Sequence, residues 1–449
     1  MRMIIGMEYE VNIKGDRANA NEIFIAVKDE IIRSAETMAV AILEGYQEVL
    51  VEIMCTKSGR ARKKGLGGHD IKGREGCKCR SRTFKRAGNW SDAKKISGEL
   101  FSAEFIPSMV ECCKCGKRLT PIIEGLELDK YQGKTELLLR KVMESVAETS
   151  YRRGSQQLER VGEVPVTKST AHRWAADVEL PVGEGGGRPF LGADGTGFKR
   201  CGGERGEVRM VLEMWPGGGL RPLGVWAGSS WKDIAKEMKG KLKKRPQLFV
   251  SDGERGLEDW LGKLADNSER CHWHLSRDSG YMLWQDKVPL EDRKEVQKKL
   301  SKLLAIEVPE KDVEFVTKED RDDLKERIVM AEKELDELRE EFENKGYIKA
   351  ANYLANARDK LFNHLKLWLE TGLIGPRTTS ILENIIRELV RRLKKIGWNW
   401  SDKGAERMGR VVMMRRYDEE GWEEYWRLKM NLQGRCKIKM LNIEARLAA

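Results

Sequence analysis

The sequence lacks any uninterrupted run of about 18 apolar residues, the length that a membrane-spanning helix needs. No secretory signal pattern is present near its beginning, so we expect a cytoplasmic protein with no membrane partner. The glycine-rich stretch 183–187 has neither the spacing of a dinucleotide fingerprint nor the Lys-Ser/Thr of a phosphate loop. That stretch therefore predicts a linker rather than a nucleotide-binding loop.

Nine cysteines in 449 residues do not make a secreted disulfide scaffold, and their clustering indicates metal binding instead. Cys77 and Cys79 form one pair, and a Cys-x-x-Cys-Gly turn supplies Cys112 and Cys115. Four thiolates can close a tetrahedral structural zinc site, so we predict zinc at these four positions. Two alternatives stay open: Cys113 could replace Cys112 as the ligand, or the thiols could bind no metal.

The charge balance is compatible with a polyanionic partner but does not select one. The chain has 83 Lys and Arg against 72 Asp and Glu, which gives a net charge of +11. An excess of positive charge suits nucleic acid. However, 35% of the residues are charged, and most of these charges are expected to pair on a solvated surface, as in proteins adapted to high temperature.

Two short, largely apolar segments, 189–194 and 247–252, each end in an aspartate, Asp194 and Asp252. Each segment predicts a buried strand that delivers its carboxylate to the strand end, where the following glycine allows a sharp turn. Two such strands would bring both acids to one site, and shared carboxylates can hold two magnesium ions for phosphodiester exchange. The pattern predicts metal-dependent chemistry on a polynucleotide, whereas either Asp-Gly alone could mark only a turn.

A third acid is expected in a helix that begins near residue 380. Ser380 predicts the helix cap, and apolar residues follow at helical spacing, so Glu383 lies in the first turn beside the apolar stripe. Glu388 is a competing acid deeper in the helix, where we expect it to pair with Arg391 or Arg392. The basic residues after Glu383 predict a helix that lies along a phosphate backbone. They are Arg387, Arg391, Arg392, Lys394 and Lys395.

The order of these features resembles that of the Mutator-like DDE transposases of prokaryotic insertion sequences. Asp194 and Asp252 are followed by Cys271 and His274, which match the Cys-x-x-His pair of that family. A long charged helical stretch comes next, and then Glu383 with its basic residues. The resemblance extends over roughly residues 188–416, about half of the chain.

The resemblance implies a ribonuclease-H-like core in which two Mg or Mn ions, held by the three acids, cut transposon ends and join them to target DNA. It also implies double-stranded DNA partners (the terminal repeats and the target), a homodimer or higher synaptic assembly, and association with the nucleoid. Cys271 and His274 are expected to support the core near Asp252, because two ligands do not complete a zinc site. Two alternatives stay open: a structure-selective nuclease, and a catalytically inactive, zinc-containing DNA-binding regulator.

A further DNA-binding region is predicted by residues 164–174. They indicate a turn followed by a short helix capped by Thr167, preceded by a helix over 145–157, as in a helix-turn-helix. The polar residues of the second helix would reach base edges, although a plain helical hairpin gives the same pattern. These residues are Lys168, Ser169, His172 and Arg173.

The predicted fold class is multidomain α/β: a ribonuclease-H-like core with an all-helical insertion, preceded by a zinc-ribbon-like and helix-turn-helix DNA-binding region. In the core we expect strands over 208–215 and 223–226, followed by a helix over 231–244. The expected segments are an N-terminal helical unit (1–55), a basic linker with a zinc-ribbon-like module (56–125), a helical DNA-binding region (126–182), the first part of the core (188–275), the helical insertion (276–377), the last part of the core (378–416) and a C-terminal helical segment (417–449).

Overall fold

A computed structural model describes residues 20–55, 79, 83–126, 128, 132–162, 165–396 and 399–431. The described residues form a mixed α/β protein and divide into two compact units. The first unit comprises the described residues within Met1–Val146, Tyr151–Ala175 and Leu428–Ala449, and the second comprises Ala147–Ser150 and Ala176–Arg427. No helix within the described ranges is long and apolar enough to cross a bilayer.

The first unit begins with a long helix and continues into short strands. Its elements are α1 (Ala20–Met54), β1 (Phe84–Asn89), β2 (Lys94–Ser97), β3 (Ser102–Phe105), β4 (Ser108–Cys112) and β5 (Arg118–Leu119). Strands β1, β4 and β5 form an antiparallel sheet, and β2 pairs with β3 as a separate hairpin. The last turn of α1 covers the three-stranded sheet, because Val51 and Met54 pack with Phe84 and Val110 in one buried cluster.

Four helices follow these strands. They are α2 (Pro121–Gly125), α3 (Glu136–Glu148), α4 (Tyr151–Gly162) and α5 (Lys168–Ala175). The prediction of a single helix over 145–157 is wrong, because the chain breaks at Thr149 and Ser150, residue types that favour turns by bonding to nearby backbone. The predicted cap of α5 is confirmed, since the Thr167 hydroxyl accepts a hydrogen bond from the Thr170 backbone N–H at 3.2 Å.

The second unit is built on a five-stranded mixed sheet. Its strands are β6 (Phe190–Lys199), β7 (Arg205–Trp215), β8 (Gly219–Ala227), β9 (Leu248–Ser251) and β10 (Asn267–Arg270). Strands β6, β7 and β8 are antiparallel neighbours, whereas β9 lies parallel to β6 and β10 parallel to β9. The order across the sheet is β10-β9-β6-β7-β8. The strands predicted over 208–215 and 223–226 are confirmed within β7 and β8.

Ten helices complete the described part of this region. They are α6 (Trp231–Lys239), α7 (Arg255–Leu261), α8 (His272–Gln285), α9 (Leu290–Leu303), α10 (Lys318–Asn344), α11 (Ile348–Ala357), α12 (Asn363–Thr371), α13 (Ser380–Val390), α14 (Asp402–Tyr417) and α15 (Glu419–Met430). The whole interval from α8 to α12 is described, and it contains helices but no strand. Helix α10 packs through a buried stripe that includes Leu324, Ile328, Leu335 and Phe342.

The two faces of the sheet are covered by different helices. Side chains alternate along a strand, so Leu191 and its neighbour Phe249 face one side, where they pack with α6 and α7. The opposite side carries Gly192, and Leu382 of α13 lies directly against it. Asp194 is two residues beyond Gly192 and therefore lies on the α13 side of the sheet.

The structure corrects the prediction that Asp194 ends its strand. Strand β6 continues to Lys199, and it pairs with β7 through the register Asp194↔Met210 and Lys199↔Arg205. The hairpin with β7 satisfies the backbone groups beyond the aspartate, so no turn is needed at Gly195. Asp252, by contrast, directly follows β9 as the sequence predicts.

We expect Leu324→Ala to lower the free energy of unfolding of the helical region by about 2–5 kcal/mol, because Leu324 is fully buried in α10 and its loss leaves a cavity. The matched control is Val329→Ala on the same helix, where the side chain is 63% exposed and the change should stay within about 0.5 kcal/mol. Urea unfolding followed by circular dichroism measures both. Equal effects would contradict the packing of α10.

Candidate active site

Strand register brings the two predicted aspartates to the same level of the sheet. Strands β6 and β9 are parallel with Gly192 opposite Val250, so the residues two positions further along, Asp194 and Asp252, reach the same edge. Both side chains are partly buried. The pairing of β6 with β9 therefore places together two acids that are distant in the sequence.

Glu383 joins the aspartates because α13 packs closely on β6. A Cβ at Gly192 would come within 3.2 Å of both terminal carbons of Leu382, so glycine lets the helix approach the strand without displacing that side chain. Glu383 is the next residue of α13; its side chain is 40% exposed, and its negative charge acts on Asp194. The three predicted acids thus share one electrostatic neighbourhood.

Cys271 anchors the start of α13. Thr379 donates to the Cys271 sulfur twice, from its backbone N–H at 3.2 Å and from its hydroxyl at 3.3 Å. His274 Nδ1 lies 3.3 Å from the same sulfur, and His274 Nε2 lies 3.6 Å from Glu383 Oε1. The Cys-x-x-His pair, one turn apart in the chain, thereby connects the first turn of α8 to the third acid.

The prediction that Ser380 caps α13 is wrong. Helix α13 begins at Ser380 with Thr379 in the N-cap position, and no side chain makes a capping hydrogen bond. The physical reason is that both hydroxyls have other partners. The Thr379 hydroxyl donates to Cys271, 108 positions away, and the Ser380 hydroxyl lies 3.0 Å from that of Thr378.

Cys271 and His274 polarise each other. Burial opposes ionisation of the Cys271 thiol, but hydrogen bonds from His274 and Thr379 outweigh burial and hold the pKa of the thiol below its ordinary value. Burial likewise disfavours the charged form of His274, but the bond to Cys271 outweighs it and raises the pKa of the imidazole. A more cationic His274 attracts the Glu383 side chain, whose Oε1 lies 3.6 Å from His274 Nε2, and so orients it.

Asp194 is the most strongly perturbed acid of the group. Burial first, and then the negative charge of Asp252, raise the pKa of the Asp194 carboxyl to about 7, and Glu383 adds a smaller effect in the same direction. The Gly195 N–H donates to Asp194 Oδ1 at 2.6 Å and opposes the shift. Repulsion among partly buried acids is the situation that a bound divalent cation relieves.

The donor type of the three acids fits hard divalent ions, since Mg and Mn take carboxylate oxygens. Their side chains nevertheless do not converge on one point as two other sets do. Among the described residues, two groups have potential ligand atoms within 4.8 Å of one another: Cys79, Cys112 and Cys115, and Glu269, His272 and His364. Mutual repulsion is expected to keep metal-free carboxylates apart.

Gly253 is required by the packing beside Asp252. Its φ of +92° is in the left-handed region, and a Cβ there would overlap the guanidinium of Arg270. Arg270 is held in that place by Glu258 at 3.3 Å and by the Tyr353 hydroxyl at 3.0 Å. The sharp turn predicted after Asp252 is therefore present, and a buried arginine lies against it.

Lys394, one of the basic residues predicted to lie along a phosphate backbone, is placed beside the acids by its contact with Thr196, which the sequence did not indicate. Lys394 Nζ donates to the hydroxyl of Thr196 at 2.9 Å, two residues beyond Asp194 on β6. Burial, and then the charge of Arg205, lower the pKa of the Lys394 ammonium. The packing of residues 391–396 beside β6 distinguishes Lys394 from the other basic residues around it. The sequence could not make that distinction, because the neighbouring residues are equally basic.

The basic residues after Glu383 have different surroundings, and the prediction of a DNA contact for Arg392 is wrong. Arg392 is 1% exposed and lies over the ring of Trp400, 4.9 Å from its centroid. Arg391 donates to Glu388 at 2.9 Å, as predicted for that acid, so its charge is already paired within the protein. Arg387, Lys394 and Lys395 are exposed, and DNA contacts at these positions stay a prediction.

The cysteine prediction is confirmed in its coarser form. Cys79, Cys112 and Cys115 could hold a metal such as zinc, and the sulfurs of Cys79 and Cys112 are 3.5 Å apart. Zinc–sulfur bonds of about 2.3 Å place two thiolate sulfurs about 3.8 Å apart, so the sulfurs of Cys79 and Cys112 would need to move only slightly to bind zinc. Cys113 is exposed and outside the group, which favours Cys112 as the ligand. Cys77 lies outside the described residues.

The four residues predicted to contact bases all lie on α5 and are exposed. The ring of His172 also meets that of Tyr151 on α4 edge to face, with 5.1 Å between the centroids. That contact fixes the two helices against each other. The four residues are Lys168, Ser169, His172 and Arg173.

No protein-family model matches this chain, and no curated protein matches it in sequence. The residues themselves and the geometry that brings them together are therefore what indicates a function. The strongest part of that geometry is the neighbourhood of Asp194, Asp252 and Glu383.

We expect Asp194→Asn to stabilise the metal-free protein in a pH-dependent way. The folded-state pKa of about 7 lies above the ordinary value of 3.8, so the wild-type chain loses stability as pH rises through this window. The asparagine does not ionise, and its advantage should grow to the order of 4 kcal/mol above pH 7, at about 1.4 kcal/mol per pKa unit. Chemical unfolding with a chelator present, from about pH 4 to pH 8, measures the difference.

The control for this experiment is Asp323→Asn, since Asp323 is exposed on α10. Because its side chain is 67% exposed, the substitution should change the free energy of unfolding by no more than about 0.5 kcal/mol. A constant difference between Asp194→Asn and the wild-type chain would contradict the burial of that carboxyl.

Gly253→Ala should destabilise the fold by more than backbone strain alone, because its new methyl displaces the Arg270 guanidinium. Gly217→Ala is the matched control, since its φ of +87° carries similar strain but nothing lies within 4 Å of the added carbon. Strain costs on the order of 1–3 kcal/mol in each variant. Thermal unfolding compares them, and equal losses would rule out the predicted clash.

Proposed function

We propose that this chain is a DDE transposase that cleaves the ends of an insertion sequence and transfers the strands into target DNA. The observation that carries the proposal is the arrangement of Asp194 and Asp252 on adjacent parallel strands with Glu383 on the helix packed above them. Their order in the chain and the Cys271-x-x-His274 pair between the second and third acids support the same assignment.

The sheet supports a ribonuclease-H-like core as part of this proposal. Three antiparallel strands are followed by two strands parallel to the first, in the order β10-β9-β6-β7-β8. The proposed core places its first acid on the central strand β6 and its second at the end of the neighbouring strand β9. The helices α8 to α12 enter between the second and third acids, as the resemblance implies.

In the proposed site Asp194, Asp252 and Glu383 hold the divalent ions. Two Mg or Mn ions would activate water or a 3′-hydroxyl and stabilise the departing 3′ oxygen. His274 orients the carboxylate of Glu383, and Thr379 fixes His274 and Cys271 relative to α13. With a pKa of about 7, the Asp194 carboxyl is only about half ionised at neutral pH, and a bound cation would favour its carboxylate form.

Several cationic groups are suited to hold DNA beside this site. Lys394 lies next to Thr196 on the acid-bearing strand, and Arg387 extends from α13 into solvent. In the first unit, the exposed face of α5 and the Cys79-Cys112-Cys115 group support a separate module for recognising the terminal repeats. Such a module would position the DNA without taking part in the chemistry.

The proposal predicts Mn-dependent cleavage and strand transfer on DNA from the flanks of the coding sequence. Asp194→Asn, Asp252→Ala and Glu383→Ala should each reduce both products below detection, while gel-shift binding of the end DNA is retained. His274→Ala should reduce the rates about 10- to 100-fold, because it acts through Glu383. Glu370→Gln is the control, since this exposed acid of α12 lies outside the site.

The possible outcomes separate the alternatives. Strand transfer by Asp194→Asn would contradict the assignment of Asp194, Asp252 and Glu383 as the catalytic acids. Cleavage without joining would favour a structure-selective nuclease, and DNA binding without any cleavage by the unmodified chain would favour a regulator. Loss of activity in Glu370→Gln would show that the assay responds to charge in general.

A further inference from the structure

A second set of potential metal ligands is buried in the second unit, apart from the three acids. Glu269 is the third residue of β10, His272 opens α8, and His364 lies in the first turn of α12. Their exposed fractions are 0%, 6% and 2%. Two of the five histidines of the chain are therefore enclosed with one carboxylate.

Three donor atoms of this set converge on a small region. His272 Nε2 lies 2.9 Å from Glu269 Oε1, and His364 Nδ1 lies 3.1 Å from the same oxygen. All three atoms are within 4.8 Å of one another. A tetrahedral zinc ion with bonds of about 2.0–2.1 Å holds its ligand atoms about 3.3 Å apart, so the two separations from Glu269 Oε1 are within a few tenths of an ångström of that spacing.

Hydrogen bonding within the protein leaves His364 incompletely satisfied. Among the described residues, neither of its ring nitrogens meets the full geometry of a hydrogen bond, although the side chain is only 2% exposed. A close polar contact joins His364 Nδ1 to Glu269 Oε1, at 3.1 Å. An incompletely bonded buried polar atom destabilises the fold, and a metal ion among the three ligands would take up the Nδ1 lone pair.

The surrounding backbone fixes the ligands in place. Glu269 Oε2 accepts the backbone N–H of His364 at 2.9 Å, which leaves Oε1 for the cluster. Asn363 donates from its side chain to the Ser268 carbonyl at 2.7 Å. Phe362 has a φ of 62°, a strained conformation for a bulky residue, immediately before these contacts. Such support around the ligands is typical of metal sites and brings His364 to β10.

The charge of the cluster also favours a cation. Glu269 is fully buried, and its carboxylate contacts the imidazoles of His272 and His364. A buried carboxylate is costly unless a positive charge lies beside it, and a divalent ion held by the three side chains would supply that charge.

We propose that Glu269, His272 and His364 form a structural site for zinc, to which these three side chains contribute ligands. Two imidazoles and one carboxylate suit zinc, and the burial of all three residues favours a structural role over a catalytic one. The ion joins β10, α8 and α12 next to Cys271, so it stabilises the segment that orients the third acid. This site is separate from the cysteine group of the first unit.

The test is the zinc content of the full chain after dialysis, measured by elemental mass spectrometry, which requires no DNA chemistry. We expect two zinc ions per wild-type chain and one in Cys112→Ser/Cys115→Ser. Adding His364→Gln to that double variant should remove the remaining ion, whereas adding Asp194→Asn should not. Retention of the ion in the His364→Gln variant, or its loss with Asp194→Asn, would overturn the assignment.

A second measurement covers the case in which His364→Gln does not fold. In the Cys112→Ser/Cys115→Ser chain, cobalt should bind with visible d–d absorption and no thiolate charge-transfer band. A strong chelator should release the metal and lower the thermal midpoint of the same chain. Absence of both bound metal and a chelator effect would overturn the proposal, whether or not the chain proves to be a transposase.

Discussion

The contact between Cys271 and Thr379 is the constraint on which the candidate site depends. These residues are 108 positions apart, and between them the chain forms five helices. Closing so long a loop has an entropic cost, which the apolar core of the helices and the bonds at the loop ends must offset. Because Thr379 directly precedes α13, the sulfur that receives its two hydrogen bonds also sets the position of Glu383.

The site combines groups that repel one another and therefore needs a rigid frame. Asp194 lies on a central strand with its carboxyl partly buried near two other acids, an arrangement that destabilises the metal-free fold near neutral pH. The pairing of β6 with β7 and β9 resists this repulsion, and so does the packing of Leu382 against Gly192. Acidic side chains held close together against their mutual repulsion are common at sites where proteins bind catalytic cations.

Much of the fold was predictable because its signals are local. Alternating or continuous apolar residues predicted β7, β8 and β9, and the hydroxyl of Thr167 capped α5 as expected. Predictions failed where a tertiary partner competes with a local preference. Asp194 does not end its strand because β7 continues beside it, Ser380 does not cap its helix, and Arg392 is enclosed over Trp400 instead of reaching solvent.

The sequence by itself determined which candidate site residues the chain contains. These are three acids in a fixed order, a Cys-x-x-His pair, and cysteines with the spacing of zinc ligands. Residue type and short spacing are enough for such inferences, because they depend on neighbours in the chain. Only the tertiary structure decided which groups meet. The approach of His364 to Glu269, of Lys394 to Thr196, and of Thr379 to Cys271 each joins residues about 95 to 198 positions apart. Contacts of that range arise from the packing of whole elements, which no local pattern records.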